Sequence, residues 1–328
     1  MNKKIKIFIS RDIPDEGIVL LEKVGFELTV WKEYRYITQE ELIGQAKHHH
    51  ALLSMSSDKL DKYFLNECKH LDIISQFAAG YDNIDIPEAT RLNIPVGNTP
   101  DVLSEATADI AFGLMIATAR KMFFMHKSII MDQWGNFVPK ANLGFELKNK
   151  TLGVFGLGRI GYAMAEKCKG AFGMNILYCN RHRNEKAEKS LEAEYVSFER
   201  LLSESDVISA HCKLSDETKG VFNMEAFTKM KPSAIFINTS RGPVHNESDL
   251  TKALNEKIIW GAGLDVTDPE PMKADNPLLE MENVCVLPHI GSATVEARNA
   301  MARLAAGNII EFYKNKKVPH ILNPEVLG

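Results

Sequence analysis

Residues 151–161, "TLGVFGLGRIG", decide the fold of this 328-residue chain. A strand-like run from Thr151 to Phe155 leads straight into Gly156-x-Gly158-x-x-Gly161, and helix-like spacing follows. That context separates a phosphate-holding turn from a chance cluster of glycines. Gly156 permits the tight turn, Gly158 lets a pyrophosphate approach the backbone, and Gly161 lets the helix pack close to the strand. The N–H groups at the helix N-terminus face the phosphates, and the helix dipole favours their charge.

Outward from this motif, strand-like and helix-like segments alternate almost throughout, which predicts parallel sheets with crossover helices. "TLGVFGL", "NILYCN", "DVISAH", "AIFINTS", "AGLDV" and "VCVLPH" form one set, enough for a complete dinucleotide-binding sheet. "IKIFIS", "FELTVW", "ALLSM" and "DIISQF" form an earlier set, with helical spacing over Asp15–Val24 and Asp58–Cys68. Between the sets, Ser104–Lys121 is apolar on more than one face, so the reading buries it between domains or against a second subunit. Thr294–Tyr313 reads as one long helix. There is no internal repeat and no low-complexity tract.

Composition narrows the class. The chain is 45% hydrophobic and 25% charged, with net charge −4, so nothing global points to nucleic acid or an anionic membrane. Five scattered cysteines form no CxxC pair, which fits a reducing cytoplasm better than a disulfide framework. The opening "MNKKIKIFIS" is too short in its apolar part for a signal peptide, and Ile110–Ala119 is too short to span a bilayer. His48-His49-His50 reads as a polar turn and not a metal site, because adjacent side chains diverge.

About 20 residues after the glycine motif, a carboxylate usually accepts from the ribose 2′-hydroxyl of NAD. This chain has "YCNRHR", residues 178–183, there instead. Asn180 is neutral, and Arg181 and Arg183 can pair with a 2′-phosphate, so the sequence predicts NADPH as the preferred cofactor, with NADH possible.

Three residues stand beyond later strands, on the edge where ligands of open α/β sheets bind. Arg241 follows "AIFINTS", Glu270 lies in "DVTDPEP", and His289 follows "VCVLP". An arginine can grip a carboxylate in two prongs, a histidine can exchange the proton that accompanies hydride transfer, and a carboxylate can orient that histidine. Together they describe hydride transfer between a nicotinamide and a 2-keto acid.

"FGLGRIG", "INTSRGPV", "AGLDVTDPEP" and "LPHIGSAT" resemble the D-isomer-specific 2-hydroxyacid dehydrogenases over essentially the whole chain. "AAGYDNID", "NTPDVLSEATADIAFGL" and "GSATVEAR" look most like the glyoxylate/hydroxypyruvate reductases and related 2-ketogluconate reductases. The resemblance implies two doubly wound domains. A Rossmann-type cofactor domain (100–291) would be inserted in a discontinuous, flavodoxin-like substrate domain (1–99 plus 292–328), with catalysis in the cleft between them. It implies that Arg241 binds the substrate carboxylate, that His289 is the acid/base with Glu270 behind it, and that N–H groups of Ala79 and Gly80 hold the other end of the substrate. Thr107, Arg159, Ile160, Thr218, Thr239 and Asp265 would line the cofactor, Asp265 facing the nicotinamide amide, while Asn180 and Arg181 take the 2′-phosphate. Trp134 would be a pocket wall that in some relatives comes from the partner subunit. The chain would be a homodimer through the region around 100–130.

Two departures stand out. Lys213 replaces a proline of many relatives beside the cofactor, and Ser56 stands where close relatives carry an apolar residue. A hydroxyl at 56 suits a hydroxylated substrate. The expected activity is NADPH-dependent reduction of glyoxylate and hydroxypyruvate. The nearest alternative is a 2-ketogluconate or other sugar-acid reductase. The alternative of another class is a non-catalytic, nucleotide-sensing interaction protein.

Overall fold

The structure, a computed structural model, describes residues 4–327. They fall into two compact units, 4–103 with 293–327, and Ser104–Ser292. Residues 1–3 and 328, which the expected substrate domain included, lie outside the described residues.

The first unit is built on five strands, β1 (Lys6–Ile9), β2 (Glu27–Val30), β3 (Ala51–Ser54), β4 (Ile73–Gln76) and β5 (Val96–Gly97). Their order is β2-β1-β3-β4-β5 and every neighbouring pair is parallel. β3 and β4 are buried along their whole length, which is why both read as apolar runs without alternation. The helix Val295–Asn315 covers β4 and crosses the helix Asp15–Lys23. The crossing is tight at Gly17, where a Cβ would lie 2.9 Å from the Ala302 carbonyl oxygen.

The second unit has seven parallel strands, β6 (Thr151–Phe155), β7 (Asn175–Cys179), β8 (Glu194–Tyr195), β9 (Val207–Ala210), β10 (Ile235–Asn238), β11 (Gly261–Leu264) and β12 (Val284–Val286). Their order is β12-β11-β10-β9-β6-β7-β8. The chain winds outward from β6 to β8, then returns to place β9 on the other side of β6. The carboxyl ends of β6 and β9 therefore flank a topological switch point, where such sheets bind ligands. Two parallel, doubly wound α/β sheets are the architecture the sequence predicts.

Ser104–Ala119 is helical, and its burial is accounted for inside its own unit. Ala108, Ala111, Leu114 and Met115 pack with Leu152, Ala163, Met164, Cys168 and Ile237 in one core. The next helix, Met122–Ile130, buries none of its residues, and Ile129, Ile130, Met131, Trp134, Phe137, Val138 and Leu143 are exposed. The expected helix over 58–68 is shorter, Lys62–Glu67, because Asp58 binds the chain before it and Asp61 caps the first turn on the Phe64 N–H. No described helix is long and apolar enough to cross a membrane. His49 sits between the Gln45 carbonyl and the Thr29 hydroxyl, and His50 accepts from the Lys6 N–H at 2.9 Å.

Candidate active site

The glycine turn has the shape a dinucleotide needs. Gly156 has φ +94°, and a Cβ there would lie 2.7 Å from the Cys212 backbone nitrogen. The turn is thus pressed against the chain leaving β9. Gly158 caps the helix Arg159–Phe172 with no side chain over its first turn, and a Cβ at Gly158 would meet nothing within 4 Å. At Gly161 a Cβ would come within 2.7 Å of the Gly156 carbonyl oxygen, so helix and strand close on each other. Open space over uncapped helix N–H groups fits a pyrophosphate. These residues fit a nicotinamide dinucleotide.

Asn180, Arg181 and Arg183 of "YCNRHR" are each engaged within the chain. Asn180 accepts from the Leu157 N–H at 2.6 Å and donates to the Leu157 carbonyl at 3.3 Å, so its amide props the glycine turn. Asn184 adds a second bond to that carbonyl at 3.1 Å, a contribution the sequence reading missed. Arg183 is gripped by Glu188 through two bonds, 3.0 and 2.7 Å, and Glu188 also accepts from the Tyr178 hydroxyl. Arg181 pairs with Glu217, both about 70% exposed. An ion pair this open to water is worth little, so a phosphate can displace Glu217 at small cost.

Between the glycine turn and Arg241, Thr239 and His211 meet. The Thr239 hydroxyl lies 3.3 Å from His211 Nδ1, and Ser209 holds Nε2 at 2.8 Å. Thr218 closes the 213–218 turn with bonds to the Lys213 carbonyl and the Ser215 N–H.

β10, β11 and β12 are neighbours and parallel, so the chain segments leaving them start on one edge. Arg241 leaves β10 in a turn held by buried Asn238, whose Nδ2 donates to the Arg241 carbonyl at 2.8 Å and whose Oδ1 accepts from Ser240. Gly242 is needed next. A Cβ there would fall 1.9 Å from the Thr267 carbonyl oxygen, on the chain leading to Glu270. This close crossing brings the Arg241 turn and the Glu270 loop together. Glu270 Oε1 lies 2.6 Å from His289 Nδ1, with both side chains a little over a third exposed. His289 has φ +52°, a left-handed conformation that a non-glycine residue adopts at a cost and that its surroundings must hold.

Asp265 does that holding. Its two carboxylate oxygens accept from the Ile290 N–H at 2.8 Å and the Gly291 N–H at 2.7 Å, directly after His289. Burial pushes its carboxyl up, against these two bonds, which favour the charged form. Thr107 packs against the same Gly291. The structure thus brings Arg241, Glu270, His289, Asp265 and Thr107 into one unit. It places Ser56, Ala79 and Gly80 in the other unit. Trp134 is 80% exposed and packs on almost nothing of its own unit.

Two imidazoles, buried His245 and half-buried His211, flank this edge. His245 accepts from Asn238 Nδ2 through Nδ1 and leaves Nε2 without a partner among the described residues. Burial pulls both His211 and His245 down to about 4, from an ordinary 6.5. The unfolded chain takes up these protons first. The stability they contribute is complete above pH 6.5 and is lost as pH falls through about 4. Each is expected to cost up to about 3 kcal/mol. Urea unfolding between pH 7 and 4.5 checks this: His245→Val should flatten the fall in stability, and an unchanged slope would exclude His245 as a source.

The chain is similar to known proteins over nearly its whole length. Residues 112–291 match the family model described as D-isomer specific 2-hydroxyacid dehydrogenase, NAD binding domain. The chain is 46% identical to a glyoxylate reductase of Thermococcus litoralis over 328 residues, covering 99% of this chain and 98% of that one. Among solved structures, a glyoxylate reductase from Paecilomyes thermophila superposes with TM-score 0.87 at 29% identity, covering 99% of this chain and all of that one. An NADPH-dependent glyoxylate/hydroxypyruvate reductase from Sinorhizobium meliloti, in complex with NADP and malonate, gives TM-score 0.83 at 28% identity, covering 98% and 97%.

Proposed function

The chain belongs to the D-isomer specific 2-hydroxyacid dehydrogenase family and is an oxidoreductase that takes a nicotinamide cofactor; we propose that it reduces glyoxylate and hydroxypyruvate to D-2-hydroxy acids, with NADPH preferred and NADH possible. The observation that carries this reading is the 2.6 Å contact between Glu270 and His289, beside the turn that presents Arg241.

The bound nicotinamide supplies the hydride. Arg241 grips the substrate carboxylate in two prongs and turns the keto carbon toward it. With Glu270 accepting from Nδ1–H, the His289 ring presents Nε2 to the keto oxygen and delivers the proton there. Asp265 keeps the segment after His289 in place through the Ile290 and Gly291 N–H groups. In the first unit, the N–H groups of Ala79 and Gly80 and the hydroxyl of Ser56 are the inferred substrate contacts. One keto acid, one reduced cofactor and one proton give one hydroxy acid and one oxidised cofactor.

NADPH preference is assigned to Arg181, the cation of "YCNRHR" with the most exposed partner. Arg181→Glu should lower the NADPH/NADH ratio of kcat/KM by about tenfold or more. A ratio that stays put would move the 2′-phosphate away from this residue. Chiral analysis of the product from hydroxypyruvate should give the D isomer alone, and a racemic or L product would overturn the proposed geometry. The exposed Ser56 hydroxyl favours a second reading, a 2-ketogluconate or other sugar-acid reductase.

A homodimer is proposed through the exposed apolar side chains between Met122 and Leu143. This lies just beyond the helix Ser104–Ala119, which packs in its own core. Five cysteines without disulfides are in keeping with a cytoplasmic protein.

A further inference from the structure

Two loops at the carboxyl edge of the first unit's sheet carry the inferred substrate contacts. One follows β3 and holds Ser56; the other follows β4 and holds Ala79 and Gly80. Beneath both runs a continuous chain of hydrogen bonds. Gln76, the last residue of β4, is fully buried and faces Ser54 in the ladder. The Ser54 hydroxyl donates to Gln76 Oε1 at 2.7 Å, which fixes the orientation of the amide. Nε2 of Gln76 then donates to Asn83 Oδ1 at 2.7 Å and to the Gly80 carbonyl at 3.3 Å. Asn83 passes the link on. Its Nδ2 donates to the Asp58 carbonyl at 2.8 Å and the Met55 carbonyl at 3.2 Å. Asp58 closes that loop by accepting from the Met55 N–H at 2.8 Å and from the Ser10 hydroxyl.

The second loop is also held from behind. Thr99 N–H donates to the Ala78 carbonyl at 3.0 Å, and Asn98 Nδ2 donates to the Ala79 carbonyl at 2.8 Å. A carbonyl and the following N–H share one plane and point opposite ways. Anchoring the carbonyls of Ala78 and Ala79 therefore turns the N–H groups of Ala79 and Gly80 away from the anchors. Ser56, at the tip of its loop, is exposed while the root of the loop is bolted.

We propose that Gln76 and Asn83 are positioning residues. They fix the span between the Ala79/Gly80 N–H pair and the Ser56 hydroxyl, and so set the length of 2-keto acid tail the protein accepts. This rests on the reading of those three residues as substrate contacts. Asn83 is the only direct side-chain bridge between the two loops among the bonds described above. Its removal leaves Gln76 Nε2 and the carbonyls of Met55 and Asp58 short of a partner, and it loosens the Met55–Asp58 part of one loop against the other, while the backbone bonds from the Leu60 N–H to the Asn83 carbonyl and from the Asp85 N–H to the Leu60 carbonyl remain. Small misplacements of this kind act on orientation, so a substrate that uses both ends suffers and one that uses a single end does not.

The test compares hydroxypyruvate, which has a hydroxylated tail, with glyoxylate, which has none. In Asn83→Ala, KM for hydroxypyruvate should rise about tenfold with kcat changed by about twofold or less, while both constants for glyoxylate move by about twofold or less. Asn83→Ser retains one donor and should recover part of the hydroxypyruvate preference. It also carries the test if the alanine variant does not fold. A parallel loss on both acids, or no loss on either, would overturn the inference. Ser56→Ala is measured alongside. If the wild-type protein turns over neither acid, the functional reading itself fails. If Ser56→Ala lowers the hydroxypyruvate preference and the Asn83 variants do not, only the positioning inference fails.

Discussion

Arg241→Ala should lower kcat/KM for a 2-keto acid by about a thousandfold or more, and oxalate, a planar dicarboxylate, should lose affinity in step. The geometry gives the reason. The Arg241 turn is fixed by Asn238 below and by the chain crossing at Gly242, so the backbone that carries the guanidinium is set before substrate arrives. Its removal forfeits a two-pronged, charge-assisted grip and the alignment of the keto carbon that comes with it. Arg241→Lys should recover only a small part, because an ammonium is a point charge without the planar fork. Steady-state kinetics with oxalate inhibition reads both effects. Unchanged oxalate affinity would remove Arg241 from the carboxylate role.

The second large effect is expected at His289. His289→Ala should lower kcat by about a thousandfold while cofactor affinity moves by about twofold or less. In the proposed reaction proton delivery and hydride arrival belong to one transition state, and Glu270 Oε1, 2.6 Å from His289 Nδ1, is placed to support that delivery. Glu270→Gln should fall between that variant and wild type, with kcat reduced about ten- to a hundredfold and KM little changed, since Gln still occupies the place but no longer holds the ring as an anion. Stopped-flow transients separate the hydride step from product release. A His289→Ala variant with near-normal single turnovers would mean that the proton comes from elsewhere.

Much of this was legible in the chain. "TLGVFGLGRIG" carries its fold in local terms: a strand, a positive-φ glycine and an uncapped helix start are all properties of neighbouring residues. Runs such as Ala51–Ser54 and Ile235–Asn238 read as strands because both sheet faces are covered and every side chain must be apolar or paired. The two-residue strands Val96–Gly97 and Glu194–Tyr195 show no period and could not be seen. The helix 104–119 was legible as buried, but not what buries it, since a neighbouring sheet and a second subunit ask for the same small apolar residues.

Site residues divide the same way. Arg241, Glu270 and His289 could be nominated because each follows a strand. What could not be found are the partners that turn a residue toward or away from ligand. Asn180 reads as a phosphate contact from its position, yet its amide holds Leu157. Asp265 reads as a cofactor contact, yet both its oxygens hold the segment after His289. Glu188 and Glu217 oppose Arg183 and Arg181 from 5 and 36 residues away, separations at which sequence offers no pairing signal. The Gln76–Asn83 link is of the same kind, being set by the register of β3 against β4 and not by any motif.

The most direct measurement is the initial rate of absorbance loss from NADPH, and separately from NADH, on adding glyoxylate to the purified protein, with His289→Ala run in parallel. The account predicts rapid glyoxylate-dependent oxidation, faster per unit concentration with NADPH, and almost none in the variant. Tight cofactor binding with no turnover of glyoxylate, hydroxypyruvate or 2-ketogluconate by either cofactor would contradict it, and would leave a nucleotide-sensing protein in its place.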